Sequence, residues 1–321
     1  MVGGPGASRL TVVFLGNAPW SVPSLEALAV SSHRVALVVT RPPRPTGRGG
    51  VAAPTAVAVA ARRLGLPVLE AATVREGAGR DAVAAAAPDV LAVVAYGELL
   101  PPEILRLARL AAVNVHFSLL PDLRGAAPVQ RAILEGRAAT GVTTMRMEAG
   151  LDTGPILAQV ETPIGEDEDA GALGARLAAL GGRLLVETFD ALAAGVAAGR
   201  PQDEALATYA PKLTREEERI DWAEPAERIA RRIRALAPTP GAWTLVRGRR
   251  LKVLRASVAG VPAVEGEHAP GRVVAVNGRL AVTAPSARVI VLDQVVPEGR
   301  RAMDGAAFAR GARLRDGEPV G

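Results

Sequence analysis

The chain has 321 residues, 49% of them hydrophobic, enough for one large domain or two of ordinary size. It contains no cysteine and only three histidines (His33, His116 and His268), which excludes a disulfide framework, thiolate chemistry and a histidine-rich metal centre. The net charge of +5 is unevenly spread. From residue 210 onward there are 20 basic and 13 acidic residues, against 18 and 20 before it, so either a polyanion is drawn to the C-terminal third or that third has a solvated Arg-rich surface.

The first nine residues, MVGGPGASR, are too short and too polar for a secretory signal. No apolar run reaches the roughly 20 residues that span a bilayer, so a cytoplasmic location without a membrane partner is expected. LTVVFL (10–15) is a strand ending at Gly16 and Asn17, and an amphipathic helix follows at 22–30. RVALVV (34–39) is a strand, 41–54 is a Pro/Gly/Arg loop, 55–64 is a helix, and a short strand lies near Val68. VLAVVAY (90–96) is apolar without alternation, as a strand buried on both faces is. A helix begins near Pro101, and AAVNVH (111–116) is a further strand.

Strands alternating with helices predict an α/β domain whose parallel sheet is covered on both faces, with ligands beyond the C-terminal strand ends. That edge carries Gly16, Tyr96, Gly97 and residues 114–118. Two later strands, 141–147 and 155–163, flank a GLDTG turn, and an Ala/Leu-rich helix covers 169–198. The division expected is a lead at 1–9, a domain at 10–199, a linker containing Pro201 and Pro211 at 200–213, and a second domain at 214–321. The second domain has one helix, 225–236, and then short β segments with turn signals, the pattern of a small barrel.

Asn114, His116 and Ser118 alternate along a strand end and point the same way if the extended conformation persists. The histidine either caps the sheet by bonding a neighbouring loop or takes part in chemistry. Asp152 beside glycine is ordinary turn chemistry unless its turn folds over the end carrying His116. Together, Asn, His and Asp suit acyl transfer between two nitrogens. An amide bonds the oxyanion as it develops, the imidazole stabilises it or shuttles a proton, and the carboxylate orients the imidazole. No G-x-S-x-G elbow offers a nucleophile, and neither a P-loop nor a G-x-G-x-x-G fingerprint is present. Arg41, Arg44 and Arg48 in RPPRPTGRGG either contact phosphates or tint a solvent-exposed connection.

NVHFSLLPDLRGAAPVQRAI followed by TGVTTMRMEAGLDTGPIL resembles the signature of the folate-dependent formyltransferases. VVFLGNAPWSVPSLEAL, VVAYGELLP and TYAPKLTREEERIDW extend the likeness to the methionyl-tRNA formyltransferases, over nearly the whole chain from residue 10. The resemblance implies a Rossmann-like domain with a mostly parallel sheet, joined to a smaller OB-like C-terminal β-barrel. It also implies catalytic roles for Asn114, His116 and Asp152, and folate contacts at Ser118, Leu119, Leu120 and Pro121, with Tyr96 and Gly97 on the same sheet edge. The tRNA-contacting loop falls on 41–54, with Arg48 its important arginine and Arg41 and Arg44 beside it. The implied donor is 10-formyltetrahydrofolate, the acceptor initiator Met-tRNA, no metal is called for, and a monomer is expected. Relatives formylate glycinamide ribonucleotide or an amino sugar on a nucleotide with the same trio, and a non-catalytic RNA-binding relative is a third reading. The basic C-terminal domain favours tRNA. Two departures from the family pattern stand out: Gly50, Val51 and Ala52 where a Lys or Arg often follows GRG, and LGNAPW where many members have a Gly-Thr-Pro turn.

Overall fold

The computed structural model describes residues 9–45, 52–259, 269–276 and 278–321. They form two units. One comprises the chain up to Pro128, Ala139–Pro163 and Gly174–Ala210, and the other Val129–Ala138, Ile164–Leu173 and the chain from Pro211 on.

The chain up to residue 193 runs β1 (Thr11–Gly16), α1 (Val22–Ala29), β2 (Arg34–Thr40), β3 (Arg44–Pro45), β4 (Ala52–Ala53), α2 (Ala56–Arg63), β5 (Val68–Glu70), α3 (Gly77–Ala85), β6 (Val90–Val94), α4 (Pro102–Leu105), β7 (Ala111–His116), α5 (Pro128–Leu134), β8 (Ala139–Arg146), β9 (Ile156–Pro163) and α6 (Ala170–Ala193). A seven-stranded sheet has the order β5-β2-β1-β6-β7-β8-β9. All neighbours up to β7 are parallel, and β8 and β9 are antiparallel. A parallel pair needs a long crossover, whereas the short 147–155 connection makes β8 and β9 a hairpin. Every residue of β6 is buried, which accounts for its unbroken apolar run. The chain winds outward from β1 through β2 to β5 and then returns to β6 on the other side of β1. The crevice beyond the C-terminal ends of β1 and β6 is therefore the switch point of the sheet.

Residues 200–210, at the start of the stretch read from sequence as a linker, pack within this first unit. Ile156 and Arg200 exchange both main-chain hydrogen bonds at 2.8 Å, and the Ala210 N–H donates to the Arg124 carbonyl at 2.7 Å.

The second unit contains α7 (Ala226–Leu236), β10 (Ala242–Val246), β11 (Arg249–Ala259), β12 (Val273–Val276), β13 (Arg279–Ala284), β14 (Arg288–Pro297), β15 (Met303–Asp304) and α8 (Gly305–Ala312). Its sheet is antiparallel, ordered β10-β11-β14-β13-β12, with β15 paired to β14. Val320 bridges to Val246 of β10, and Pro319 bridges to Arg272 beside β12. Residues 318–321 thus join the two edge strands, as closure into a small barrel requires. Ile229, Ile233 and Leu236 of α7 recur at helical spacing and pack with Val253, Val282, Ile290 and Leu292. Burying each such side chain stabilises the unit by about 1.5–3 kcal/mol. Trp222 joins the same cluster and satisfies its indole N–H on the Thr244 hydroxyl at 3.0 Å. Among the described residues no helix is long and apolar enough to cross a membrane.

Candidate active site

β7 lies inside the sheet between β6 and β8, and alternation along it turns Asn114 and His116 to the same face. His116 is 5% exposed at the strand end. The β8–β9 hairpin brings Asp152 over that end. Its Oδ1 accepts from the Asn114 side-chain amide at 3.4 Å. Its Oδ2 accepts from the Gly125 N–H at 2.9 Å and lies 3.6 Å from His116 Nδ1. His116 Nε2 stands 2.9 Å from the Leu123 carbonyl oxygen, which can only accept, so Nε2 carries the proton. His116 therefore does bond a neighbouring loop, as a sheet-capping histidine would, but only through one nitrogen. A proton taken up on the other, Nδ1, meets the Asp152 carboxylate.

The loop between β7 and α5 is shaped to serve both residues. Leu123 has φ 58° and Gly125 has φ 118°, and a Cβ on Gly125 would stand 2.8 Å from the Ala210 carbonyl oxygen. Only glycine fits there, and its N–H is the one aimed at Asp152.

Ser118, Leu119, Leu120 and Pro121 form the turn that follows β7. Thr143 is its hub: its hydroxyl donates to the Ser118 carbonyl at 2.7 Å and accepts from the Leu120 N–H at 3.1 Å and from Gln159 Nε2 at 3.0 Å. Gln159 also donates to the Leu120 carbonyl at 2.8 Å, and the Ser118 hydroxyl donates to the Asp122 carbonyl. Ser118 and Leu120 are buried, and Leu119 and Pro121 are half-buried. Sequence reading did not single out Thr143 or Gln159, because a threonine or glutamine on a strand carries no motif.

Tyr96 and Gly97 lie at the end of β6, level with the end of β7 because Val94 pairs with Val115. The Tyr96 ring is 2% exposed and packs with Val13, Leu15, Val93, Leu100 and Ile104. Burial, helped by nearby Glu98, pushes its phenol above the usual range. Tyr96 therefore serves this edge with its main chain, and its carbonyl accepts from the Asn17 side-chain amide. Asn17 Oδ1 in turn accepts from the Thr40 hydroxyl at 3.0 Å and the Arg41 N–H at 2.8 Å. One asparagine thus ties together the ends of β1, β2 and β6 at the switch point. The sequence signal for it was its place directly after the first strand.

Arg41 Nη2 donates to the Gly97 carbonyl at 3.0 Å, and Arg44 is exposed on β3, which pairs with β4. Arg48, Gly50 and Val51 lie outside the described residues.

Residues 9–189 match the formyl transferase family, and residues 212–313 match the formyl transferase C-terminal domain. The chain is 43% identical over 312 residues to the methionyl-tRNA formyltransferase of Thiobacillus denitrificans, covering 97% of this chain and all of that one. In fold it is similar to HypX from Aquifex aeolicus in complex with tetrahydrofolic acid (17% identity, TM-score 0.61), covering 94% of this chain and 47% of HypX. It is also similar to the N-formyltransferase from Helicobacter canadensis in complex with folinic acid and dTDP-3-aminofucose (16% identity, TM-score 0.65), covering 89% of this chain and 99% of that one.

Proposed function

The chain belongs to the methionyl-tRNA formyltransferase family, and from that premise we propose that it transfers the formyl group of 10-formyltetrahydrofolate to the α-amino group of methionyl-initiator tRNA. The observation that carries the chemistry is the convergence of Asn114, His116 and Asp152 on one strand end. Asn114 spends one Nδ2 hydrogen on Asp152. Among the described residues the second is left to donate to the formyl oxygen as it becomes an oxyanion, where a fixed dipole stabilises the transition state more than the ground state. The neutral amine forms a bond to the formyl carbon, the bond from that carbon to the folate nitrogen breaks, and one proton passes from the amine to the departing nitrogen. His116 Nδ1 accepts and returns that proton, the Leu123 carbonyl holding the ring through Nε2 and Asp152 facing its transient charge.

Leu119 and Pro121 supply the apolar edge on which the folate ring system rests, with the main chain at Tyr96 and Gly97 completing the pocket. Residues 41–54, with Arg41, Arg44 and Arg48, and the basic C-terminal unit hold the tRNA. Phosphate contacts of this kind give an affinity that falls with salt. The C-terminal unit offers an arginine already stacked on an aromatic face, since the Arg250 guanidinium lies 4.0 Å from the Trp243 ring centroid. The enzyme acts as a monomer in the cytoplasm, with residues 10–199 and the 200–210 segment packed with them for the chemistry, and 214–321 for tRNA. Formylation of an amino-sugar nucleotide is not favoured, because the likeness to a tRNA-directed relative runs through both domains.

The test is formyl transfer from 10-formyltetrahydrofolate to purified initiator Met-tRNA, with glycinamide ribonucleotide and an amino-sugar nucleotide as parallel acceptors. Formyl-Met-tRNA as the sole product is expected. Transfer to a small amine alone would overturn the assignment of the acceptor while leaving the trio in place.

A further inference from the structure

Asp152 has φ 56°, a left-handed backbone that a non-glycine residue keeps only when its surroundings fix it. Gln202 supplies that constraint. Its Nε2 donates to the carbonyl oxygens of Asp152 at 2.8 Å and Gly154 at 2.7 Å, spanning the turn from one side to the other. Its Oε1 accepts from Arg124 Nε at 3.0 Å and Nη2 at 2.8 Å. The Arg124 side chain is wholly buried, and Glu204 completes its bonding in a two-pronged pair at 2.7 and 2.8 Å. Arg124 sits between Leu123, whose carbonyl receives His116, and Gly125, whose N–H binds Asp152. The main chain locks the same place, because Arg124 N–H donates to the Thr208 carbonyl at 2.9 Å. One amide side chain therefore connects the loop that orients His116 with the turn that carries Asp152.

We propose that Gln202, anchored by the Arg124–Glu204 pair, is a positioning residue that holds Asp152 in register with His116 and Asn114 and so sets the rate of formyl transfer, not the binding of either substrate. This rests on the function proposed above. Gln202 is half-buried, so its replacement leaves the core intact. Gln202→Leu keeps the bulk and removes all four hydrogen bonds. Gln202→Glu keeps an acceptor for Arg124 but turns an oxygen toward the two carbonyls.

Both variants are expected to lose about 10- to 100-fold in kcat, with KM for folate and tRNA within about twofold of wild type. In an Asp152→Ala background, Gln202→Leu should cost less than about twofold more, since the two act through one contact. The His116 ring 15N chemical shifts, which need no substrate, should move in Gln202→Leu. Wild-type kcat in either variant, a loss confined to KM, a full additional loss in the Asp152→Ala background, or unmoved His116 shifts would each overturn the proposal. Wild-type protein is assayed alongside on all three amine acceptors. If it ignores Met-tRNA but formylates another amine, the acceptor assignment fails and the Gln202 comparison is read on that amine.

Discussion

His116 and Asp152 face each other at 3.6 Å, Nδ1 to Oδ2, one at the end of a parallel strand and the other in the turn of an antiparallel hairpin. β8 runs antiparallel to β7, so its outgoing turn leaves beside Ala112 near the start of that strand, and residues 147–152 carry Asp152 back to the His116 end. His116→Ala and Asp152→Ala are each expected to lower kcat by about 10²- to 10⁴-fold while far-UV circular dichroism stays that of wild type. Normal turnover in either folded variant would remove the trio from the mechanism.

Gly125 provides a second test. Alanine there would meet the Ala210 carbonyl at 2.8 Å and adopt φ 118°, both unfavourable to a side chain. Gly125→Ala is expected to lower unfolding free energy by about 1–3 kcal/mol and to reduce turnover by displacing the N–H that binds Asp152. Urea unfolding and kcat measured on one preparation check both effects. A stable, fully active variant would mean that this loop tolerates the shift.

Stability should also depend on pH through His33. Its Nδ1 accepts from the Leu10 N–H at 3.4 Å and its Nε2 lies 3.3 Å from Asp190. Burial lowers its pKa below the ordinary value of 6.5, with Asp190 offsetting part of the effect. The unfolded chain then binds more protons than the folded one as pH falls through 6.5. The stability contributed by the neutral imidazole is complete above that value and is lost as pH falls through the lower, folded pKa. Urea midpoints at about pH 7.5 and 5.5 should differ more for wild type than for His33→Gln, and equal differences would discount this histidine.

Arg48→Ala is expected to raise KM for tRNA with KM for folate unchanged, and to reduce the slope of log affinity against log salt by about one phosphate contact. Loss of folate binding instead would detach the 41–54 loop from the tRNA.

The parts of this fold legible in the sequence are those with a local signature. The apolar run of β6, the alternation that sets Asn114 beside His116, and the helical spacing of Ile229, Ile233 and Leu236 are all carried by neighbours in the chain. α3 and α8 passed unread because each opens on glycine and is short. Asp152 looked like a turn residue, which it is, and its second role comes only from what the hairpin covers. Arg124 and Thr143 stand inside the signature segments, yet like Gln202 they show nothing there of the partners they bind. Their partners are remote in sequence, and a buried arginine matched by a glutamine and a glutamate has no period or motif. For the same reason residues 200–210 resembled a linker: their bonds are made by the main chain and by single polar side chains.

The C-terminal sheet has its own vulnerability. Residues 318–321 stand between β10 and β12 and use hydrogen-bonding groups that would otherwise face water on both edges. A protease that trimmed those four residues would leave two unpaired strand edges, each a template for a neighbouring molecule's backbone. Size-exclusion chromatography of a protein lacking residues 318–321 is expected to show more self-association than the 321-residue protein, and an unchanged elution profile would mean that the two edges need no cover.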